Sequence, residues 1–266
     1  HRIGAAGQAL ARSMTYEAEL ATGVKAVTDA FARRHPRPGK PESRRPLTPV
    51  AATVMDQLHG SDITAGLEPA MPLDLQGWNS AHRCFAELVT TANASVIIDV
   101  GVWKGGSTMA FARLLREHRH TGVVIAVDTF LGSPEHWERT SALSGLIERR
   151  VGRPMLYEQF LSNVIHSDMR PYVVPMAQTA TNAAVILGRL GIAADIIHID
   201  AAHDYANVMQ DISSYWPLVR PGGFLVGDDY SDSWPGVVRA ANAFSHAEGL
   251  PLRVESPKWI IQKPLG

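Results

Sequence analysis

From residue 95 onward, short runs of β-branched and aliphatic residues alternate with longer amphipathic segments. The runs with the length and composition of buried strands are 95–100, 123–128, 172–176, 195–200, 222–228, 252–256 and 259–263. Between the first five runs, apolar residues recur every three or four positions, which predicts helices. Strands that alternate with helices predict βαβ units and a parallel sheet. Only Pro257 and Lys258 separate the last two runs, so these should form an antiparallel hairpin.

The residues before position 95 show no strand-like alternation. Helical spacing over 1–35 predicts an N-terminal helical arm, and helical spacing over 51–94 predicts a helical cap. Residues 36–50 are rich in proline and arginine, which predicts an extended linker because proline fixes φ and lacks an N–H donor. The predicted fold class is therefore α/β. Its domain, 95–266, is a doubly wound, Rossmann-like, mostly parallel seven-stranded sheet with a C-terminal antiparallel hairpin, preceded by the helical extension.

Composition and charge narrow the range of partners. The chain has 25 Lys and Arg residues against 26 Asp and Glu residues, so nothing favours nucleic-acid binding. Its single cysteine, Cys84, cannot form an intrachain disulfide, and no apolar stretch approaches the roughly 20 residues that cross a bilayer. There is also no apolar signal-peptide segment near the start. We expect a cytoplasmic protein without a membrane or nucleic-acid partner.

The first predicted strand runs into a glycine-rich segment, DVGVWKGGST at 99–108, which precedes a helix. Glycines allow a sharp turn and a close approach of ligand to backbone, and Ser107 or Thr108 is suited to cap the helix. The segment lacks the G-x-G-x-x-G of dinucleotide-binding loops, and Lys104 comes too early for a P-loop. A tight turn without a ligand remains the alternative.

The pattern D-x-G-x-x-x-G-x-S in this segment resembles motif I of the class I S-adenosylmethionine-dependent methyltransferases. The resemblance implies that the motif residues bind S-adenosylmethionine; they are Asp99, Gly101, Gly105 and Ser107. Asp128 ends the second strand, where a carboxylate can accept hydrogen bonds from both ribose hydroxyls, unless it only caps the next segment. Gln178 follows the third strand and could hydrogen-bond the adenine, although a helix cap at Thr179 explains that turn equally well.

Three carboxylates follow the next two strands. Asp200 ends the fourth strand, and Asp228 and Asp229 follow the fifth, so the three side chains should meet at one edge of the sheet. Close carboxylates repel one another unless a cation neutralises them, and oxygen ligands favour Mg²⁺. The alternative is that Asp200 binds the cofactor while Asp228 or Asp229 caps a helix.

With these residues, the stretch 95–263 resembles the metal-dependent O-methyltransferases, which include catechol and macrocin-type sugar enzymes. The resemblance implies that Asp200, Asp228 and Asp229 bind magnesium and that Asp200 also takes part in catalysis and cofactor binding. Catechol enzymes have a lysine base at the position that His203 occupies, and macrocin-type enzymes carry an acid nearby. An imidazole with a pKa near ~6.5 suits a general base, and a hydrogen-bonding wall residue is the alternative.

Aromatic and polar residues near the predicted edge are candidates for binding the acceptor. His136 and Trp137 lie in a long insertion between the second and third strands, and Tyr230 and Trp234 follow Asp228 and Asp229. The alternative for the aromatic residues is that they pack in the core or at an interface. We expect a small hydroxylated, sugar-like acceptor, with a catechol or phenolic acceptor as the alternative. A non-catalytic cofactor-binding scaffold and a nicotinamide-dependent oxidoreductase are disfavoured alternatives. We also expect a homodimer.

Overall fold

The computed structural model describes residues 45–118 and 121–265. The predicted N-terminal arm and most of the predicted linker lie outside the described residues. The helices are α1 (Pro49–His59), α2 (Cys84–Thr91), α3 (Gly106–His118), α4 (Pro134–Trp137), α5 (Leu156–His166), α6 (Ala180–Arg189), α7 (Tyr205–Tyr215) and α8 (Pro235–Glu248). The strands are β1 (Val96–Val100), β2 (Val123–Asp128), β3 (Arg149–Arg150), β4 (Arg153–Pro154), β5 (Val173–Ala177), β6 (Ala194–Ile199), β7 (Val219–Gly227), β8 (Leu252–Glu255) and β9 (Lys258–Gln262).

Seven of these strands form one sheet in the order β5-β2-β1-β6-β7-β9-β8. The first five in that order are parallel to one another, and β9 runs antiparallel to both β7 and β8. The predicted α/β fold class, with its mostly parallel sheet and C-terminal antiparallel hairpin, is therefore confirmed. Strands β3 and β4 form a separate two-residue hairpin within the long insertion.

Helices cover both faces of the sheet because the strands are apolar on both sides. Helices α1, α6, α7 and α8 bury apolar side chains against one face, together with alternate strand residues such as Ile98. Helices α2, α3 and α5 do the same on the other face, where Ile97 lies. The segment 51–94, expected to be a helical cap, thus contributes α1 to one layer and α2 to the other. In the described part of the chain, no helix has the length and apolarity needed to cross a membrane.

The chain reverses its direction of winding between β1 and β6. After β1 it crosses to β2 through α3 on one face, and after β6 it crosses to β7 through α7 on the other face. In open α/β sheets, the crevice at such a reversal lies outside the carboxyl ends of the strands and accepts the ligand. The loops that follow β1 and β6 flank this reversal, and the loops after the other parallel strands lie along the same edge of the sheet.

Candidate active site

The loop after β1 needs glycine at two positions. Gly101 has φ +83°, and a Cβ on it would lie 2.0 Å from the carbonyl oxygen of Asp200. Gly105 has φ +91°, and a Cβ there would lie 2.9 Å from the ring of Phe160. Backbone bonds from Gly101 N–H to Val127 O, and from Asp200 N–H to Val100 O, both 2.8 Å, tie the neighbouring strand ends together. The loop can therefore pack directly against the segment that carries Asp200.

Beside this loop lies a cavity of about 700 Å³ at the carboxyl edge of the sheet. Of the residues predicted to bind the cofactor, four line the cavity: Gly101, Asp128, Gln178 and Asp200. The other three, Asp99, Gly105 and Ser107, are not among its lining residues. The motif therefore divides into residues that border the cavity and residues that support the loop behind it.

Asp99 is a supporting residue, because it is fully buried and both of its carboxylate oxygens have partners within the protein. Ser107 Oγ and Thr108 Oγ1 donate to Asp99 Oδ2 at 2.8 and 2.6 Å. The Nδ1 atom of His198 lies 2.8 Å from Asp99 Oδ1. These bonds hold the first turn of α3 against β1, which fixes the position of the glycine loop.

Asp128 ends β2 and organises the loops on either side of it. Its Oδ2 accepts the backbone N–H of Trp103 at 2.9 Å, and its Oδ1 accepts that of Phe130 at 2.7 Å. Burial raises the pKa of Asp128 above its ordinary value, although these two hydrogen bonds oppose the increase. Gln178 donates its N–H to the Asp128 carbonyl at 3.0 Å, and Thr179 caps α6 by accepting from Asn182 N–H.

Asp200, His203 and Asp229 lie close together, and each of them lines the cavity. Each residue offers one atom that could ligate a metal ion, and these three atoms lie within 4.8 Å of one another. His203 Nε2 lies 2.8 Å from Asp229 Oδ2, and the His203 ring stacks on Trp234 with centroids 4.0 Å apart. The hydrogen bond to Asp229 raises the pKa of His203. Burial and the nearby charge of Asp228 raise the pKa of Asp200.

Asp228 also borders the cavity, but both of its oxygens are already bonded. Its Oδ2 lies 2.7 Å from Nζ of Lys258, and its Oδ1 accepts the backbone N–H of Asp229 at 2.8 Å. Asp228 is 4% exposed and Lys258 is 0% exposed, so this ion pair is out of solvent. Of the three predicted metal ligands, Asp200 and Asp229 are thus the two whose carboxylates are not committed to Lys258.

Two of the four candidate acceptor-binding residues line the cavity, namely His136 and Trp234. Trp137 does not line it: its Nε1 donates to the carbonyl of Leu131 at 2.9 Å, and the Arg149 guanidinium lies 4.6 Å from its ring centroid. Tyr230 is likewise not a lining residue, and its hydroxyl accepts a hydrogen bond from Asn242 at 2.8 Å.

The structure adds residues that the sequence had not singled out. Trp103, within the glycine loop, has φ +53° and stacks on His136 with centroids 4.4 Å apart. Trp78 lies 6.4 Å from Trp103, also between ring centroids, and Glu135 lines the same cavity. The position of Trp103 within the glycine loop could have identified it from the sequence as a cavity residue. Nothing in the sequence around Trp78 identifies it, because Trp78 reaches the cavity only through folding of residues that are distant in sequence.

The structure has the features that the sequence resemblance implied: a seven-stranded sheet ending in an antiparallel hairpin, with a glycine loop and acidic strand ends around one cavity. A family model described as a methyltransferase domain matches residues 98–230, half of the 266-residue chain. The chain belongs to this family, and the predicted resemblance to class I S-adenosylmethionine-dependent methyltransferases is confirmed.

The chain is similar to one protein by sequence and to several solved structures by fold. The uncharacterized protein R132 of Acanthamoeba polyphaga mimivirus is 27% identical over 150 residues, which are 54% of this chain and 57% of that protein. The match therefore spans little more than half of that relative. A candidate O-methyltransferase from Klebsiella pneumoniae is 18% identical with a TM-score of 0.50, covering 91% of this chain and 97% of that chain. TomG from Streptomyces achromogenes, an O-methyltransferase, is 16% identical with a TM-score of 0.50, covering 91% and 96% respectively.

The packing at Gly101 generates a stability prediction. We expect Gly101→Ala to lower the free energy of unfolding by several kcal/mol, because the new methyl group collides with the Asp200 carbonyl. Gly191→Ala is the matched control, since Gly191 has a similar φ of +68° but no atom within 4 Å of the place that the new methyl group would occupy. The control should lose only about 1 to 2 kcal/mol, the cost of the left-handed backbone. Equal losses in urea unfolding of the two variants would contradict the close packing.

Proposed function

We propose that the protein is an S-adenosylmethionine- and Mg²⁺-dependent O-methyltransferase that methylates a hydroxyl group of a small, polar, sugar-like acceptor. The observation that carries this proposal is the pair formed by His203 and Asp229, which borders the same cavity as the glycine loop. An imidazole held by a carboxylate is a general-base arrangement, and methyl transfer to oxygen requires removal of the hydroxyl proton.

The cavity residues around the glycine loop support the cofactor part of the proposal. Gly101 lines the cavity, Asp128 can accept from ribose hydroxyls, and Gln178 lies at the next strand end. S-adenosylmethionine supplies an electrophilic methyl group on a sulfonium. A volume of about 700 Å³ is within the range that binds a cofactor-sized ligand. TomG, which has the same fold, has been solved in complex with S-adenosylmethionine.

His203 is the proposed general base. In the neutral ring, Nε2–H donates to Asp229 Oδ2, so Nδ1 is the nitrogen left to accept a proton. As the acceptor oxygen gains the methyl group, its proton passes to His203, and the Asp229 carboxylate stabilises the resulting imidazolium. The stack on Trp234 limits rotation of the ring, which keeps the base in one orientation.

The proposed metal ligands are Asp200 and Asp229. Both line the cavity, and burial together with the charge of Asp228 raises the pKa of Asp200. A bound cation would stabilise the ionised form of this carboxyl group. Carboxylate oxygens with open positions suit Mg²⁺, which keeps several waters or substrate oxygens. When bound there, Mg²⁺ makes a coordinated hydroxyl more acidic. Asp228 as a third ligand stays a prediction, because Lys258 already supplies a cation to its carboxylate.

The proposed acceptor class rests on the cavity walls. Trp78, Trp103 and Trp234 offer aromatic faces, while Glu135 and Asn79 supply polar groups beside them. Stacking on aromatic faces together with polar contacts suits a sugar ring, and the same faces suit a phenol, which is the second candidate. The homodimer and the cytoplasmic location stay predictions.

Cofactor binding can be tested by calorimetric titration with S-adenosylmethionine. We expect the wild-type protein to bind one equivalent, and Asp128→Asn to bind about tenfold more weakly because the ribose site loses a charged acceptor. Asp232→Asn, which changes an exposed acid outside the cavity, should bind as the wild type does. A wild-type protein that fails to bind with Mg²⁺ present would contradict the cofactor assignment.

The base assignment predicts a pH dependence. Protonated His203 cannot accept a proton, so kcat should rise as pH increases through the raised pKa of His203. Asp229→Asn removes the carboxylate that raises this pKa and should move the rise to lower pH. His203→Ala should lower kcat by about 10²- to 10⁴-fold. The measurement is transfer of labelled methyl to a panel of sugar and phenolic acceptors, and an unchanged pH profile in His203→Ala would remove His203 as the base.

The metal assignment predicts sensitivity to chelation. Treatment with EDTA should abolish methyl transfer, and added Mg²⁺ should restore it, because the activated hydroxyl depends on the cation. Asp200→Asn should raise the Mg²⁺ concentration required for half-maximal activity, whereas Asp232→Asn should not change it. Full activity in EDTA would refute the metal part and leave the cofactor and base assignments standing.

A further inference from the structure

Lys258, the first residue of β9, is a charged side chain in the core. It is 0% exposed, and its Nζ lies 2.7 Å from Asp228 Oδ2, 3.2 Å from His198 Nε2 and 5.1 Å from the ring centroid of Phe85. Removing an ammonium group from water costs several kcal/mol unless it is paired and hydrogen-bonded. Loss of these partners would therefore destabilise the folded protein, because the buried charge of Lys258 would be left unpaired.

On one side, Lys258 is held by hydrogen bonds that run through His198 to Asp99, and the protonation of each group determines which atom donates. An ammonium group only donates, so His198 Nε2 accepts from Lys258. The His198 proton then resides on Nδ1, which donates to Asp99 Oδ1 at 2.8 Å. Burial and the Lys258 charge lower the pKa of His198, in agreement with a neutral ring. Asp99 is held in turn by the start of α3, so Lys258 has a rigid support.

On the other side, Lys258 contacts the segment that carries the proposed base pair. Asp228 Oδ1 accepts the backbone N–H of Asp229, and Asp229 has φ +63°, in the left-handed region. The next residue, Tyr230, donates its N–H to the carbonyl of Pro257 at 2.8 Å. The turn between β8 and β9 thus holds the loop after β7 by an ion pair and a backbone hydrogen bond.

A left-handed backbone costs a non-glycine residue about 1 to 2 kcal/mol, so Asp229 keeps this conformation only while other contacts impose it. The bond from its N–H to Asp228 Oδ1 is one such contact, and Asp228 is itself held in place by Lys258. The same conformation places the Asp229 carboxylate 2.8 Å from His203 Nε2.

We propose that Lys258 is a positioning residue that, acting through Asp228, holds Asp229 against His203. The C-terminal hairpin would then position a residue of the active site, in addition to forming the edge of the sheet. The consequence for catalysis rests on the proposed function, but the effect on the contact between Asp229 and His203 does not.

The test compares the His203 ring in variants of the full-length chain by NMR of protein labelled with ¹⁵N-histidine, with the signal assigned through His203→Ala. Lys258→Met/Asp228→Asn removes both buried charges together, so neither remains unpaired. Asp229→Asn gives the reference signal for a ring without its carboxylate. Lys263→Met is the matched control: Lys263 Nζ donates to the carbonyls of Trp216 and Val219 at 3.0 and 2.8 Å and does not contact the site.

We expect the ring ¹⁵N signals of the double variant to move to the positions found in Asp229→Asn, while those of Lys263→Met stay at the wild-type positions. Should the double variant not fold, Asp228→Asn alone removes the ion pair and is expected to shift the signals in the same direction. Wild-type signals in a folded variant that lacks the ion pair would overturn the proposal.

The activity of the same variants separates this proposal from the proposed function. In the double variant, kcat should fall by about tenfold or more, while the Kd for S-adenosylmethionine stays within about twofold, because the cofactor residues are not altered. A parallel loss of cofactor binding would indicate general disruption and would count against a positioning role. If the wild-type protein transfers no methyl group, the proposed function fails, whereas the NMR comparison still decides the role of Lys258.

Discussion

The buried ion pair between Asp228 and Lys258 is the constraint on which the site depends. Either charge alone in this place would cost several kcal/mol, so the two residues must stay together. Asp228 follows the last parallel strand, and Lys258 begins the antiparallel strand paired with it, where Gly227 lies opposite Trp259. The pair therefore fixes the β8–β9 turn next to the loop after β7. That loop carries Asp229, and so the orientation of His203 depends on a strand near the C-terminus.

The ion pair is also connected to the residues behind the glycine loop, because the sheet register places Asp99 next to His198, which contacts Lys258. Asp99 on β1 lies opposite His198 on β6, and both side chains are fully buried. Both side chains lie on the face covered by α2 and α3, as do Asp228 and Lys258. A continuous set of buried bonds thus runs from the first turn of α3 to the backbone of Asp229. Within this set, Asp99 is bonded to Ser107 and Thr108 without the help of Lys258, so the glycine loop keeps a support of its own.

The sequence was sufficient to predict the strands, the hairpin and the edge of the sheet that holds the site, because these follow from local apolar patterns and from the geometry of βαβ units. It also located Asp128, Asp200, His203 and Asp229. It could not show that Asp99 faces the interior, since side chains alternate between faces and the motif alone does not indicate which face holds the ligand. The sequence places Lys258 between the two strands of the predicted hairpin but does not reveal its role, because that role depends on the pairing of β9 with β7, two strands whose pairing local patterns do not show.

The carboxylates of Asp200, Asp228 and Asp229 can be neutralised by protein cations as well as by a metal ion. Three carboxylates close together require neutralisation, and the sequence predicts Mg²⁺ for this role. The structure supplies two protein cations: Lys258 compensates Asp228, and His203, when protonated, compensates Asp229. Among the described residues no cation forms an ion pair with Asp200, and burial together with the charge of Asp228 raises its pKa. The proposed Mg²⁺ would supply the missing charge beside Asp200 and Asp229, and it would matter most when His203 is neutral, the state in which it can act as a base.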